Sequence, residues 1–107
     1  MQVLGSENQG EIFPDYQVKI KNTGIIPIEL EPPVVVFKKH GSKRFFQVRN
    51  GNTVFPLSLF RKEEYDFIVD LAKFYTTDSS LITYNNVYLE VRDKKNHKIA
   101  CKRIYIK

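Results

Sequence analysis

Several things are scarce in this chain, and each scarcity excludes something. It has no tryptophan and a single cysteine, Cys101, so no internal disulfide forms and the fold rests on apolar packing. A lone cysteine suits a reducing compartment but does not fix one, and localisation stays open. Alanine occurs only at Ala72 and Ala100, and no run of strong helix formers exists. No stretch approaches the roughly 18 apolar residues of a membrane-spanning helix. Glu7 is the only charged side chain in residues 1–10, a segment without the basic and apolar regions of a signal peptide. There is no glycine-rich phosphate loop and no Gly-x-Ser-x-Gly elbow.

What is present favours strands. Of 107 residues, eight are Phe and six are Tyr, alongside many Val and Ile, and 42% are hydrophobic. That length suits one domain. Residues 1–12 are rich in Gly, Ser, Asn and Gln and read as a flexible leader or linker, so the domain is expected over residues 13–107. Within it, Tyr16, Val18 and Ile20 alternate with polar neighbours, the period of a half-buried strand. Asn22-Thr23-Gly24 ends that strand, with Gly24 placed to supply a positive φ. A strand over 26–30 is interrupted by Pro32-Pro33, which marks a sheet edge or a strand crossing. Further strands are expected over 34–38, 44–49, 54–60, 65–74, 87–92 and 98–106, with turns at Asn50-Gly51-Asn52 and at 93–96, where Asn96 tolerates the left-handed region.

Two stretches are ambiguous. Across 63–75, Phe67, Leu71 and Phe74 also fit a helical repeat, while Phe67, Val69 and Leu71 fit period two; the strand is the preferred reading. In 98–106 the apolar positions change parity between Cys101 and Ile104, which a bulge would explain, with Cys101 as core filler. The whole is an all-β pattern: an antiparallel sandwich of about seven or eight strands, in which Val18, Ile20, Phe67, Val69, Leu71, Val87, Leu89 and Val91 form the dry layer.

Three segments together resemble a bacterial immunoglobulin-like domain. They are Val18 to Gly24 followed by Pro27-Ile28, Leu57-Ser58-Leu59 leading through Glu63-Glu64 into Tyr65 to Leu71, and the closing hairpin Val87 to Lys98. The resemblance covers residues 14–107. Asn96 stands where such hairpins usually carry glycine, and the disulfide and core tryptophan of antibody-type domains are missing. The resemblance implies an immunoglobulin-like β-sandwich that serves as an accessory piece of a larger bacterial protein or assembly.

Chemistry-bearing residues are sparse. His40 and His97 fall in loops, and His97 and Cys101 lack the second ligand pair that a zinc site needs. Asp66 and Asp70 share a strand face at roughly 13 Å separation, beyond the reach of paired glycosidase carboxylates. No metal, cofactor or catalytic constellation is expected. The formal net charge is +5. Residues 92–107 carry seven cations against the single Asp93, and Arg92, Lys94, Lys95, Lys98, Lys102 and Arg103 form a candidate patch for an anionic partner. A second cluster is Lys38, Lys39, Lys43 and Arg44, and Tyr88 and Tyr105 interleave with the basic positions. The expectation is a non-enzymatic binding module making protein–protein contact through a loop end or sheet edge. The alternative is a basic module that binds nucleic acid or anionic lipid through the C-terminal hairpin.

Overall fold

Alternation becomes strand wherever the sequence shows it, and the sheets assemble by burying the apolar phase. The computed structural model describes residues 2–7, 15–48 and 53–104. Strands β1 (Gln2–Glu7), β2 (Asp15–Lys21) and β7 (Glu64–Asp70) form one antiparallel sheet in the order β1-β2-β7. Strands β4 (Val34–Lys39), β5 (Ser42–Gln47), β8 (Asn86–Arg92) and β9 (Lys98–Ile104) form a second, in the order β5-β4-β8-β9. The short strands β3 (Ile28–Leu30) and β6 (Leu57–Leu59) pair with each other. The protein is thus mostly antiparallel β, an arrangement compatible with a sandwich.

The two larger sheets share one core. Val18 and Ile20 of β2, with Phe67 and Val69 of β7, cluster with Val35 and Phe37 of β4 and with Val87, Leu89 and Val91 of β8. All eight expected core side chains are buried, each contributing about 1.5–3 kcal/mol on leaving water. Phe37 is its aromatic hub, in edge contact with Phe46, Phe74, Tyr75 and Tyr84 at centroid distances of 5.7–6.4 Å.

The Pro32-Pro33 break is a crossing. Before it, β3 pairs with β6; after it, β4 pairs with β5 on one side and β8 on the other. Two prolines cost nothing in lost ladder bonds at the point where partners change.

Six expectations are corrected. The strand over 65–74 stops at Asp70, because the Asp70 carboxylate accepts the Lys73 backbone N–H and caps the two-turn helix α1 (Leu71–Thr77). Leu71 and Tyr75, four apart, then face the core, while the repeat of Phe67, Leu71 and Phe74 spans two elements, since Phe67 lies in β7. A 3₁₀ turn over Ser79–Thr83 follows, capped by Asp78. Cys101 is exposed rather than core filler. The irregularity of β9 lies earlier than expected: Val91 pairs with Ala100 while Arg92 pairs with Lys98, so Ile99 is the extra residue. The inner positions of β9 are therefore Ala100, Lys102 and Ile104, and Cys101 falls on the other face.

Residues 2–7, read from the sequence as leader, pair residue by residue with β2. Gly5 makes this possible, since a Cβ there would stand 2.2 Å from the Tyr16 ring that covers it. The first turn also differs: Gly24 is not among the described residues with positive φ, which are Gly41, Lys62 and Asn96. Asn96 takes the left-handed conformation as expected. Strand β3 begins at Ile28, so Ile26 lies in the loop. The Asn50-Gly51-Asn52 turn and Tyr105 lie outside the described residues.

Candidate interaction surfaces

The first turn is built around Asn22, the one fully buried polar side chain among the described residues. A carboxamide offers two donors and an acceptor, and all are used. Nδ2 donates to the carbonyls of Leu59 (2.9 Å) and Ile26 (3.0 Å), and Oδ1 accepts from the Gly24 N–H (2.9 Å). The Asn22 backbone donates to the Glu63 carbonyl and accepts from the Lys62 N–H. The left-handed φ of Lys62 aims its N–H at that carbonyl. Glu63 in turn accepts the Phe60 N–H at 2.7 Å. One buried amide thus locks loop 22–27 to loop 60–63.

What the lock presents is apolar. Ile25 is 75% exposed, Ile26 72% and Phe60 57%. Arg61 and Lys62 adjoin them in the second loop, and both are exposed. The β8–β9 hairpin lies at the same end: Lys94 N–H donates to the Glu29 carbonyl, and an open concavity of about 610 Å³ is lined by Pro27, Ile28, Lys94, Lys95 and Ile99. Asp93 shapes this hairpin by accepting the backbone N–H groups of Lys95 and His97. Those bonds, the one from His97 foremost, hold its carboxyl below the usual aspartate range against a partial desolvation.

The six-residue basic patch expected from the sequence does not form one stripe. Arg92 and Lys98 converge on Glu90 at 2.8 and 3.9 Å, and Lys94 faces Glu29 at 3.3 Å. Lys95 is exposed at the turn, and Lys102 is half-buried on the inner side of β9. Arg103 is on the outer side and donates to Asn86 Oδ1 at 2.8 Å.

The second basic cluster also divides. Lys39 reaches Thr83 at 2.9 Å and lies over the Tyr84 ring. Arg44 pairs with Asp78 and stacks on Phe46. Bonds from the Ser80 hydroxyl, then from Arg44, draw the Asp78 carboxyl down to about 2. Lys38 and Lys43 point the other way, onto the outer face of the four-stranded sheet, where the register sets them directly opposite each other. The next row on that face is Phe45, Val36, Tyr88 and Arg103, again set side by side by register.

His40, His97 and Cys101 are all exposed and separate, and Asp66 and Asp70 flank the exposed Ile68 on the outer side of β7. Among the described residues, no group of three or more His, Cys, Asp or Glu side chains is placed to hold a metal. No described helix is long and apolar enough to cross a membrane. Compared with protein-family models, with curated proteins and with solved structures, the chain matches none.

Sequence reasoning missed both the Ile25/Ile26/Phe60 end and the Phe45–Val36–Tyr88 row. The first left a signal: two isoleucines sit between Gly24 and Pro27, inside turn chemistry where polar residues are the rule. The second depends on which strands become neighbours, and no local pattern encodes that.

Proposed function

We propose that this chain is a non-enzymatic binding module of immunoglobulin-like sandwich type that docks onto another protein through the Ile25, Ile26 and Phe60 end. The strand order supports the architecture. β7 returns from the second half of the chain to pair with β2, and β8 returns to pair with β4, the long-range antiparallel returns of a Greek-key sandwich. A role as an accessory piece of a larger bacterial protein or assembly agrees with a small module that carries its own contact surface.

The observation that carries the contact reading is the inverted polarity of the Asn22 end: its amide is fully buried while three large apolar side chains beside it are held in water. An interface core of aliphatic and aromatic anchors with a charged rim has this composition. With Arg61 and Lys62 at the rim, the complementary surface is an apolar depression bordered by acidic side chains. The hairpin patch supports an anionic partner less well, since Arg92, Lys94 and Lys98 already face Glu90 and Glu29.

The test is a photo-crosslinking side chain introduced in place of Ile26 and, as a control, in place of Lys73, with the protein expressed in its own cell. The expected result is a discrete protein adduct at position 26 that disappears when Phe60→Ser is added. Adducts only with lipid, or the same adducts from both positions, would refute the proposal.

A further inference from the structure

We infer that the outer face of the four-stranded sheet is a second binding surface, one that takes single-stranded nucleic acid. Three observations carry it. First, Phe45 and Tyr88 stand on the strands either side of β4, on one face, with Val36 between them. Strand spacing sets the two rings about 10 Å apart. Phe45 is 55% exposed and Val36 is buried beneath its neighbours, so the row is an apolar floor with aromatic side chains at its ends.

Second, the adjoining row on the same face is cationic. Lys38 and Lys43 face each other there across β4 and β5, and Arg103 closes the aromatic row itself, opposite Tyr88. Like charges directly opposite on a sheet are destabilising. Among the described residues neither lysine has an ion-pair partner. Guarding an edge against strand pairing accounts for Lys43, since β5 is an edge strand, but not for Lys38, which lies on an interior strand. A polyanion laid along the row relieves the repulsion that the fold tolerates without it.

Third, the face carries little opposing charge. Its acid, Glu90, is held by Arg92 and Lys98. This arrangement suits a strand whose phosphates follow the cations while its bases stack on the exposed Phe45 ring and the half-buried Tyr88 ring. It does not suit a second copy of the chain, which would bring Lys38, Lys43 and Arg103 against their own kind, nor duplex DNA, whose bases are already stacked.

The experiment is fluorescence anisotropy of a labelled oligothymidine titrated with the chain, at low salt and over a salt series. Binding is expected, with affinity falling on a log–log salt slope of about −2 for three engaged cations. Phe45→Ala and Tyr88→Leu should each weaken binding about tenfold. Lys38→Glu with Lys43→Glu should abolish it, and Lys94→Glu with Lys95→Glu, at the loop end, should leave a clear signal. Phe45 is mostly exposed, so that variant folds, and far-UV circular dichroism verifies each. The proposal is overturned by no binding at low salt, by unchanged affinity in Phe45→Ala, by a preference for duplex, by binding to phosphatidylserine vesicles in place of the oligonucleotide, or by a dimer that Phe45→Ala dissociates. The loop-end crosslinks do not depend on any of these results, so either reading can fail alone.

Discussion

The two ends of the molecule handle polarity in opposite ways. Between β7 and β8, residues 71–84 turn Leu71, Tyr75, Leu81 and Tyr84 inward and leave the capping carboxylates of Asp70 and Asp78 outside. At the other end, the polar Asn22 is inside and Ile25, Ile26 and Phe60 are outside. The first arrangement buries most of its apolar groups, with Ile82 as its exception at 66% exposed. The second costs apolar exposure and leaves a fully satisfied buried amide holding it in place. Under the proposed docking, those exposed side chains meet a partner, and the difference between the ends separates packing from contact.

The sharpest way to break this comparison is to remove its shared foundation. Phe37→Ala, which takes away the aromatic hub under residues 71–84, should cost about 4 kcal/mol in chemical denaturation. The expected companion effect is a marked loss of near-UV circular dichroism. Asn22→Ala attacks the other end. It strands two carbonyls and an N–H that the amide now satisfies, and should cost about 3 kcal/mol, a figure accessible from denaturant midpoints. If Asn22→Ala is nearly neutral, the amide is not the lock.

A smaller effect probes the far end by pH. The Asp78 carboxyl sits at about 2, below its ordinary value of 3.8. Its ionised form therefore adds stability at every pH above the ordinary value, and that contribution is lost as pH falls through about 2. Wild type should melt higher than Asp78→Asn near neutrality, and the gap should narrow from about pH 4 downward and vanish below about pH 2. A gap that persists well below pH 2 would mean the Ser80 and Arg44 contacts are not what distinguishes the two. The smallest effect is expected at the contact end: Ile25→Ser with Ile26→Ser should change stability by under about 0.5 kcal/mol, because neither side chain leaves water on folding. A large loss there would show that these residues pack after all.

Much of the β architecture was legible because a period of two is a local signal. Val18 and Ile20, Phe67 and Val69, and Val87, Leu89 and Val91 all face the core as their alternation predicted. The helix at 71–77 was half legible, since Leu71 and Tyr75 lie four apart. It was lost because the strand before it supplies one phase and the helix after it another, with Asp70 as the only punctuation. Cys101 misled because apolar character was taken as burial, whereas the extra residue Ile99 reset which face each β9 side chain occupies. The surroundings of the basic patch were illegible for a different reason: Glu29 and Glu90, distant or interleaved in sequence, arrive beside Lys94, Lys98 and Arg92 only on folding.

Turn chemistry and alternation, written in neighbouring residues, were enough to specify a mostly β chain, most of its inner side chains and the left-handed Asn96. Which strands lie side by side was settled only by tertiary packing, because pairing joins residues far apart in the chain and depends on burying both sheets at once. That choice placed Lys38 against Lys43, Phe45 and Tyr88 around Val36, and the loop of Ile26 against the loop of Phe60.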